Sequence, residues 1–204
     1  MLTGLWPAYY LLYQHRTVGW RNIVSYVLVG ITPVILAIAV TGAYNWLRFG
    51  SAFDNGLAYH AMAPRFVTDF LRYGAFDLHY VPTNMFYQYV AYPYPLGPDS
   101  FQGASLFLLS PVFVASIWGV IRGRPRLSTC AMAGTIALVA TPILLLMGTG
   151  WVQFGPRYTL DFTVPLLLLT AIGIRYWPVW IVAALTVVSL AHYLTGIFYF
   201  SIVI

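Results

Sequence analysis

The sequence contains no lysine, no glutamate and a single cysteine in 204 residues. Charged residues make up 7% of it and are supplied entirely by arginine and aspartate. Soluble helical proteins cover their solvated faces with Lys and Glu, so the lack of both excludes an extensive solvated surface. Cys130 has no partner for an intrachain disulfide and lies in an apolar run, where it reads as a small packing residue. His15, His60, His79 and His192 are scattered, and no cysteine cluster or set of carboxylates at ligand spacing accompanies them. That argues against an all-protein metal site. No glycine-rich phosphate loop follows a strand, and nothing resembles a nucleophilic triad. The opening stretch, MLTGLWPAYYLLYQHR, has no basic leader and is interrupted by Pro7. It reads as the last turns of a partial helix and not as a cleavable signal.

What remains is apolar. With 60% hydrophobic residues the chain reads as an integral membrane protein of the all-α, polytopic class. A spanning helix needs about 20 largely apolar residues. Largely apolar intervals supply five candidates at 24–45, 104–121, 128–148, 157–175 and 178–202, within a single membrane domain over 1–204. The arginine excess is grouped in twos and threes between these runs, a topology signal and not a nucleic-acid patch. Arg16 and Arg21, the RGRPR run at 122–126, and Arg175 all fall on one side under these spans. Loops 14–22, 122–127 and 175–177 are therefore expected to be cytoplasmic, with 46–103 and 149–157 outside. Trp20, Trp46, Trp151, Trp177 and Trp180 fall near the implied interfaces. Pro33, Pro111, Pro142 and Pro165 sit inside spans, which a packed bundle tolerates because neighbours satisfy the freed carbonyls.

The long outer segment 46–103 has its own periodicity. In PRFVTDFLRYG (64–74), Phe66, Val67, Phe70 and Leu71 share one face, and Arg65 and Asp69 are spaced to pair on the other. In PTNMFYQYVAYP (82–93), Met85, Phe86, Tyr89 and Val90 form an apolar face with Asn84 and Gln88 opposite. Both segments are expected to lie flat at the membrane surface as interfacial helices. YPYPLGPDS (92–100) is too proline-rich for either and reads as an extended strap.

Four stretches taken in order resemble the C-terminal half of bacterial GT-C glycosyltransferases of the dolichyl-phosphate-mannose protein mannosyltransferase and aminoarabinose-transferase type. They are YNWLRFGSAFDNG (44–56), GAFDLHYVPTNMFYQYVAYP (74–93), GASLFLLSPVF (103–113) and WVQFGPRYTLDFTVPLLLL (151–169). The resemblance implies a polytopic inner-membrane enzyme that takes a sugar from a polyprenyl-phosphate carrier on the outer face. Such enzymes carry their catalytic acid in a first outer loop, which would lie upstream of Met1. No Asp of this chain inherits that role. A catalytic residue is thus not expected here, and partners are membrane lipids, a polyprenyl phosphate carrier, and an N-terminal half or other membrane chains. A noncatalytic structural subunit of a larger membrane complex is the alternative. No nucleic acid and no cofactor beyond a polyprenyl-phosphate-linked sugar donor is implied.

Arg157 and Asp161 are the first candidate site. At the outer start of a helix, the Arg157 guanidinium suits the phosphate of a lipid carrier, and Asp161 could orient it. Equally, the two form an i, i+4 clamp at a helix start with Pro156 at its first position. Arg48 flanks the outer end of the first full span, where headgroup anchoring competes with a rim contact to substrate. His79, Tyr80, Asn84, Gln88 and Tyr158 complete the set of residues suited to sugar or carrier contact, although the same polar residues suit a helix facing water. His192, alone inside the last span, reads as a neutral group hydrogen-bonded in the bundle together with Tyr193.

Overall fold

Four of the apolar intervals fold as helices long and apolar enough to cross a membrane, Arg21–Phe49, Arg126–Leu145, Arg157–Tyr176 and Val179–Tyr199. These are read from a computed structural model, which describes residues 19–54, 64–92, 103–148 and 153–203, with isolated positions 8, 9, 12, 13, 56, 59 and 62. No strand forms among the described residues, and an isolated antiparallel bridge joins Phe76 to Leu146. The chain divides into two units, one ending at Ala75 and one beginning at Phe76.

In the first unit, α1 (Trp20–Phe49) carries Pro33 and ends where Gly50 adopts φ 76° and donates its N–H to the Trp46 carbonyl. Only glycine takes that left-handed closure without strain. The following turn is held by the Gly56 N–H donating to Asp54 Oδ1 at 2.8 Å. Helix α2 (Pro64–Tyr73) forms as its periodicity requires and stops at Gly74, which bonds back to the Phe70 carbonyl. The side chain of Arg65 lies outside the described residues, so the expected Arg65–Asp69 pair does too.

The second unit opens with a one-turn 3-10 helix at Leu78–Tyr80 that runs into α3 (Val81–Met85) and a single π-turn at Phe86–Val90. Then come α4 (Leu106–Leu109), a 3-10 turn at Pro111–Val114, and α5 (Ala115–Arg122). Helix α6 (Arg126–Leu145) returns. A 3-10 segment at Arg157–Phe162 leads into α7 (Thr163–Gly173), and α8 (Val179–Val203) closes the bundle.

The interval 104–121 is broken at Ser110, whose non-helical backbone (φ −129°, ψ 69°) separates α4 from the turn at Pro111. The uninterrupted apolar helix there covers Pro111–Arg122. Its length is well short of the ~30 Å hydrocarbon layer at about 1.5 Å per residue. The break frees the Leu109 carbonyl, because Phe113 donates to Ser110 instead. His192 Nδ1 takes up that carbonyl at 3.3 Å, and Tyr92 Oη lies 2.8 Å from its Nε2. The expected hydrogen-bonded histidine is found, its ring held between a carbonyl and a phenol. Tyr193 is drawn in as well, accepting from Ser110 Oγ at 3.4 Å.

The helices of this unit alternate in direction. Tyr176 donates to the Arg122 carbonyl at the same end where α5 and α7 finish, so those two run parallel. They cross at small residues: a Cβ on Gly173 would strike the Ala115 carbonyl, and one on Gly119 would strike the Leu169 carbonyl. Close backbone approach through small residues is how helices associate where lipid removes the hydrophobic drive. Leu106, Val139, Ile143, Phe162 and Leu166 form the core between α4, α6 and α7. Hydroxyls within the spans, including those of Thr135, Thr141, Thr170, Thr186 and Thr195, donate to carbonyls four residues back. A buried or lipid-facing hydroxyl needs such a partner.

Candidate functional site

The polar interior of the second unit gathers where the 76–92 segment covers the C-terminal end of α6. The loss of helix after Leu145 leaves the last carbonyls of α6 short of intrahelical donors. The covering segment supplies them. Asp77 N–H donates to the Leu145 carbonyl at 3.0 Å. Asn84 Nδ2 donates to the carbonyls of Leu144 and Leu146, each at 2.8 Å, and sits 3.4 Å from that of Ile143. Three carbonyls around one nitrogen also fix which end of the amide is which. Asn84 is 1% exposed.

The polar face of the segment meets the bundle and not water. Asn84 and Gln88, expected opposite the apolar face, are each 1% exposed, whereas Met85, Phe86 and Val90 of the apolar face are 42%, 51% and 59% exposed. Leu78 and Phe76 are exposed as well. The physical reason lies beneath the segment: bare carbonyls at the end of α6 draw the Asn84 amide inward, and the apolar side chains are left on the other face. Asn84 is therefore a helix cap, with its donor hydrogens committed.

Gln88 sits one turn further along the same inward face, at the middle of the π-turn. Neither its Oε1 nor its Nε2 has a hydrogen-bond partner, and Asn84 Oδ1 has none either. The segment is pinned beside it by Ser105, whose N–H donates to the Ala91 carbonyl and whose Oγ donates to that of Tyr89 at 2.7 Å. Tyr89 stacks on Phe107, and burial pushes its phenol above the ordinary tyrosine range. The protonated phenol is the form this docking favours. Its contribution is complete below the ordinary tyrosine value of about 10 and is lost as pH rises through the raised one.

The other candidate residues are distributed around this interior. Tyr80 is buried, and His79 is exposed with its backbone N–H donating to Asp77 Oδ1 at 2.7 Å. Tyr158 packs against the core that holds Ile143, which ties it to the Asn84 end of the bundle. Its neighbour Arg157 is exposed, with the guanidinium 5.5 Å from the Tyr158 ring centroid, a cation–π distance. The expected Arg157–Asp161 clamp is absent. Residues 157–162 are 3-10, at 3.0 residues per turn, so the side chain four positions on points about 120° away. Pro165 helps impose this, since it has no N–H to offer the Asp161 carbonyl. Asp161 is exposed and does not orient Arg157. Arg48 belongs to the first unit, where its guanidinium donates to Tyr44 Oη at 2.8 Å and lies over the Tyr44 and Phe49 rings.

Sequence reasoning passed over Asp77, Ser105 and Gln153. Gln153 is 8% exposed, and its amide fills the space where Gly103, at φ 100°, has no side chain. The signal available was a lone amide inside WVQFGP; Asp77 and Ser105 announce themselves only as caps. Among the described residues no cluster of His, Cys, Asp or Glu could hold a metal. Comparison with known protein families, characterised proteins and solved structures finds no match for this chain.

Proposed function

We propose that this chain builds the carrier-lipid pocket of a bacterial inner-membrane transferase that uses polyprenyl-phosphate-linked sugars, the catalytic acid coming from another segment or chain. In this reading 106–122 makes a short fifth crossing, the arginine-bearing loops at 14–22, 122–127 and 175–177 are cytoplasmic, and 46–103 and 149–157 are outside. The parallel run of α5 and α7 supports it, since both must then pass from outside to inside. The observation that carries it is Arg157, an exposed guanidinium with no carboxylate partner among the described residues, set over the ring of Tyr158, which packs on the bundle core. A guanidinium presents two parallel donors to phosphate oxygens, and Tyr158 holds it in place through its ring face. Arg157→Ala is expected to weaken binding of undecaprenyl phosphate about 10- to 100-fold, for a charge-assisted pair worth about 1.5–3 kcal/mol. Arg157→Lys keeps the charge, loses the fork, and falls between. Native mass spectrometry in nanodiscs measures both, with thermal stability as the control. Equal affinity for all three proteins sinks the phosphate role.

A second reading, a structural subunit of a larger membrane complex, is favoured by one observation. A groove of about 790 Å³ runs along the end of α1, lined by Ala39, Gly42, Ala43, Trp46, Leu47 and Phe53 among others. Native mass spectrometry of the chain drawn from its own membrane separates the two readings. A stoichiometric complex with a second protein, devoid of polyprenyl phosphate, supports the subunit.

A further inference from the structure

The Gln88 side chain is 1% exposed, and both of its amide atoms lack a partner. In a chain that satisfies its intramembrane hydroxyls one by one, an unmet amide is an exception. Asn84 Oδ1, one turn back on the same face, is a second unmet acceptor whose orientation is locked by the three carbonyls at the other end of that amide. Together they offer one nitrogen donor and two oxygen acceptors, aimed inward. Every buried polar residue in the described structure is a neutral amide or hydroxyl. An ion brought to this place would find no counter-charge, and burying it unpaired is strongly unfavourable. The complementary ligand is one that both donates and accepts at adjacent positions without charge, as neighbouring hydroxyls do. The π-turn at Phe86–Val90 sets Gln88 on a widened stretch of backbone, a feature concentrated at functional sites.

We infer that Gln88, with Asn84 Oδ1 one turn away, receives the hydroxyls of an uncharged sugar, which makes the carrier-linked donor a neutral sugar and excludes a uronic acid or a sugar with a free amine. This rests on the carrier-lipid reading above and names the headgroup that reading leaves open. Gln88 is the donor and bidentate contact; Asn84 supplies a fixed acceptor while continuing to cap α6. Gln153 and Ser105 shape the surroundings, and the hydroxyl of Ser105 is already committed to the Tyr89 carbonyl.

The test uses the full chain in nanodiscs with two lipids, undecaprenyl phosphate and undecaprenyl phosphoglucose, and the variants Gln88→Met and Gln88→Leu. Wild type is expected to hold the glucose-bearing lipid about tenfold more tightly than the bare one, as two net hydrogen bonds allow. In both variants that ratio falls to about one while affinity for the bare lipid is unchanged. Because an unmet buried amide is removed, the melting temperature of the ligand-free variants rises by about 3 °C. A ratio of one in wild type overturns the Gln88 assignment and leaves the carrier reading standing. A ratio that survives both variants also overturns it. A fall in melting temperature for both variants shows that the amide is already satisfied, and overturns it as well. If neither lipid binds wild type, the carrier reading fails and the assignment goes with it.

Discussion

Gly173→Leu is expected to abolish the folded bundle, leaving protein that extracts from membranes only as aggregate. The cause is a backbone contact. At the α5–α7 crossing a Cβ on Gly173 would overlap the Ala115 carbonyl oxygen, and one on Gly119 would overlap the Leu169 carbonyl. A methyl group cannot be relieved there by a rotamer change, because the opposing atom is main chain. Overpacking of this kind costs about 1–3 kcal/mol for added methylenes where side chains can yield. Here the two helices must separate, and with them the shared core of Leu166 and Phe162. Gly173→Ala should already lower the melting temperature measurably. Gly134→Ala is the control: it lies on α6 with nothing within 4 Å of a Cβ, so alanine should be neutral or stabilise by about 0.5–1 kcal/mol. A detergent-stability series across Gly119, Gly134 and Gly173 reads the difference. Equal tolerance at all three would contradict the parallel crossing of α5 and α7.

The second large effect is expected at Asn84. Replacing it with leucine, close in volume, removes the donor that serves the end of α6 and buries the carbonyls of Leu144 and Leu146 without partners. An unmet buried polar group costs about 1–3 kcal/mol, so a loss of about 3 kcal/mol and about 8 °C in melting temperature is expected. Gln88, one turn away with the same burial, should respond in the opposite direction, because its amide makes no bond to lose. Asn84→Asp is a sharper probe still. It keeps the shape but replaces the donor with an acceptor facing carbonyl oxygens, and should be worse than leucine. Stability of Asn84→Leu equal to wild type would show that the segment does not cap the helix.

The helices themselves were legible because charge is so scarce. Arg21, Arg48, Arg126, Arg157 and Arg175 mark span ends closely, and the expected 157–175 interval differs from the observed Arg157–Tyr176 by one residue. The break inside 104–121 was less visible. Proline inside a span is tolerated so often that Pro111 announces no interruption; the non-helical backbone of Ser110, at φ −129° and ψ 69°, makes it. The 82–93 segment keeps the expected period, but its polar face meets the bundle where water or sugar was expected. Period fixes which residues travel together; the open carbonyls at the end of α6, invisible in the sequence, decide what the polar set faces. The Arg157–Asp161 pair failed for a related reason. Its four-residue spacing brings side chains together only in an α-helix, and Pro165 makes the stretch before it 3-10. Losing that clamp leaves the guanidinium available for an anion.

The central claim, that Arg157 and the Asn84 end of the bundle form a carrier-lipid pocket, is tested most directly by an experimental structure. The chain would be held in nanodiscs with an antibody fragment for size and saturated with undecaprenyl phosphate. Phosphate density within about 3 Å of the Arg157 guanidinium, with the space beside Gln88 continuous with it, is the expected result. Lipid density confined to the α1 surface, with Arg157 facing solvent alone, would contradict it.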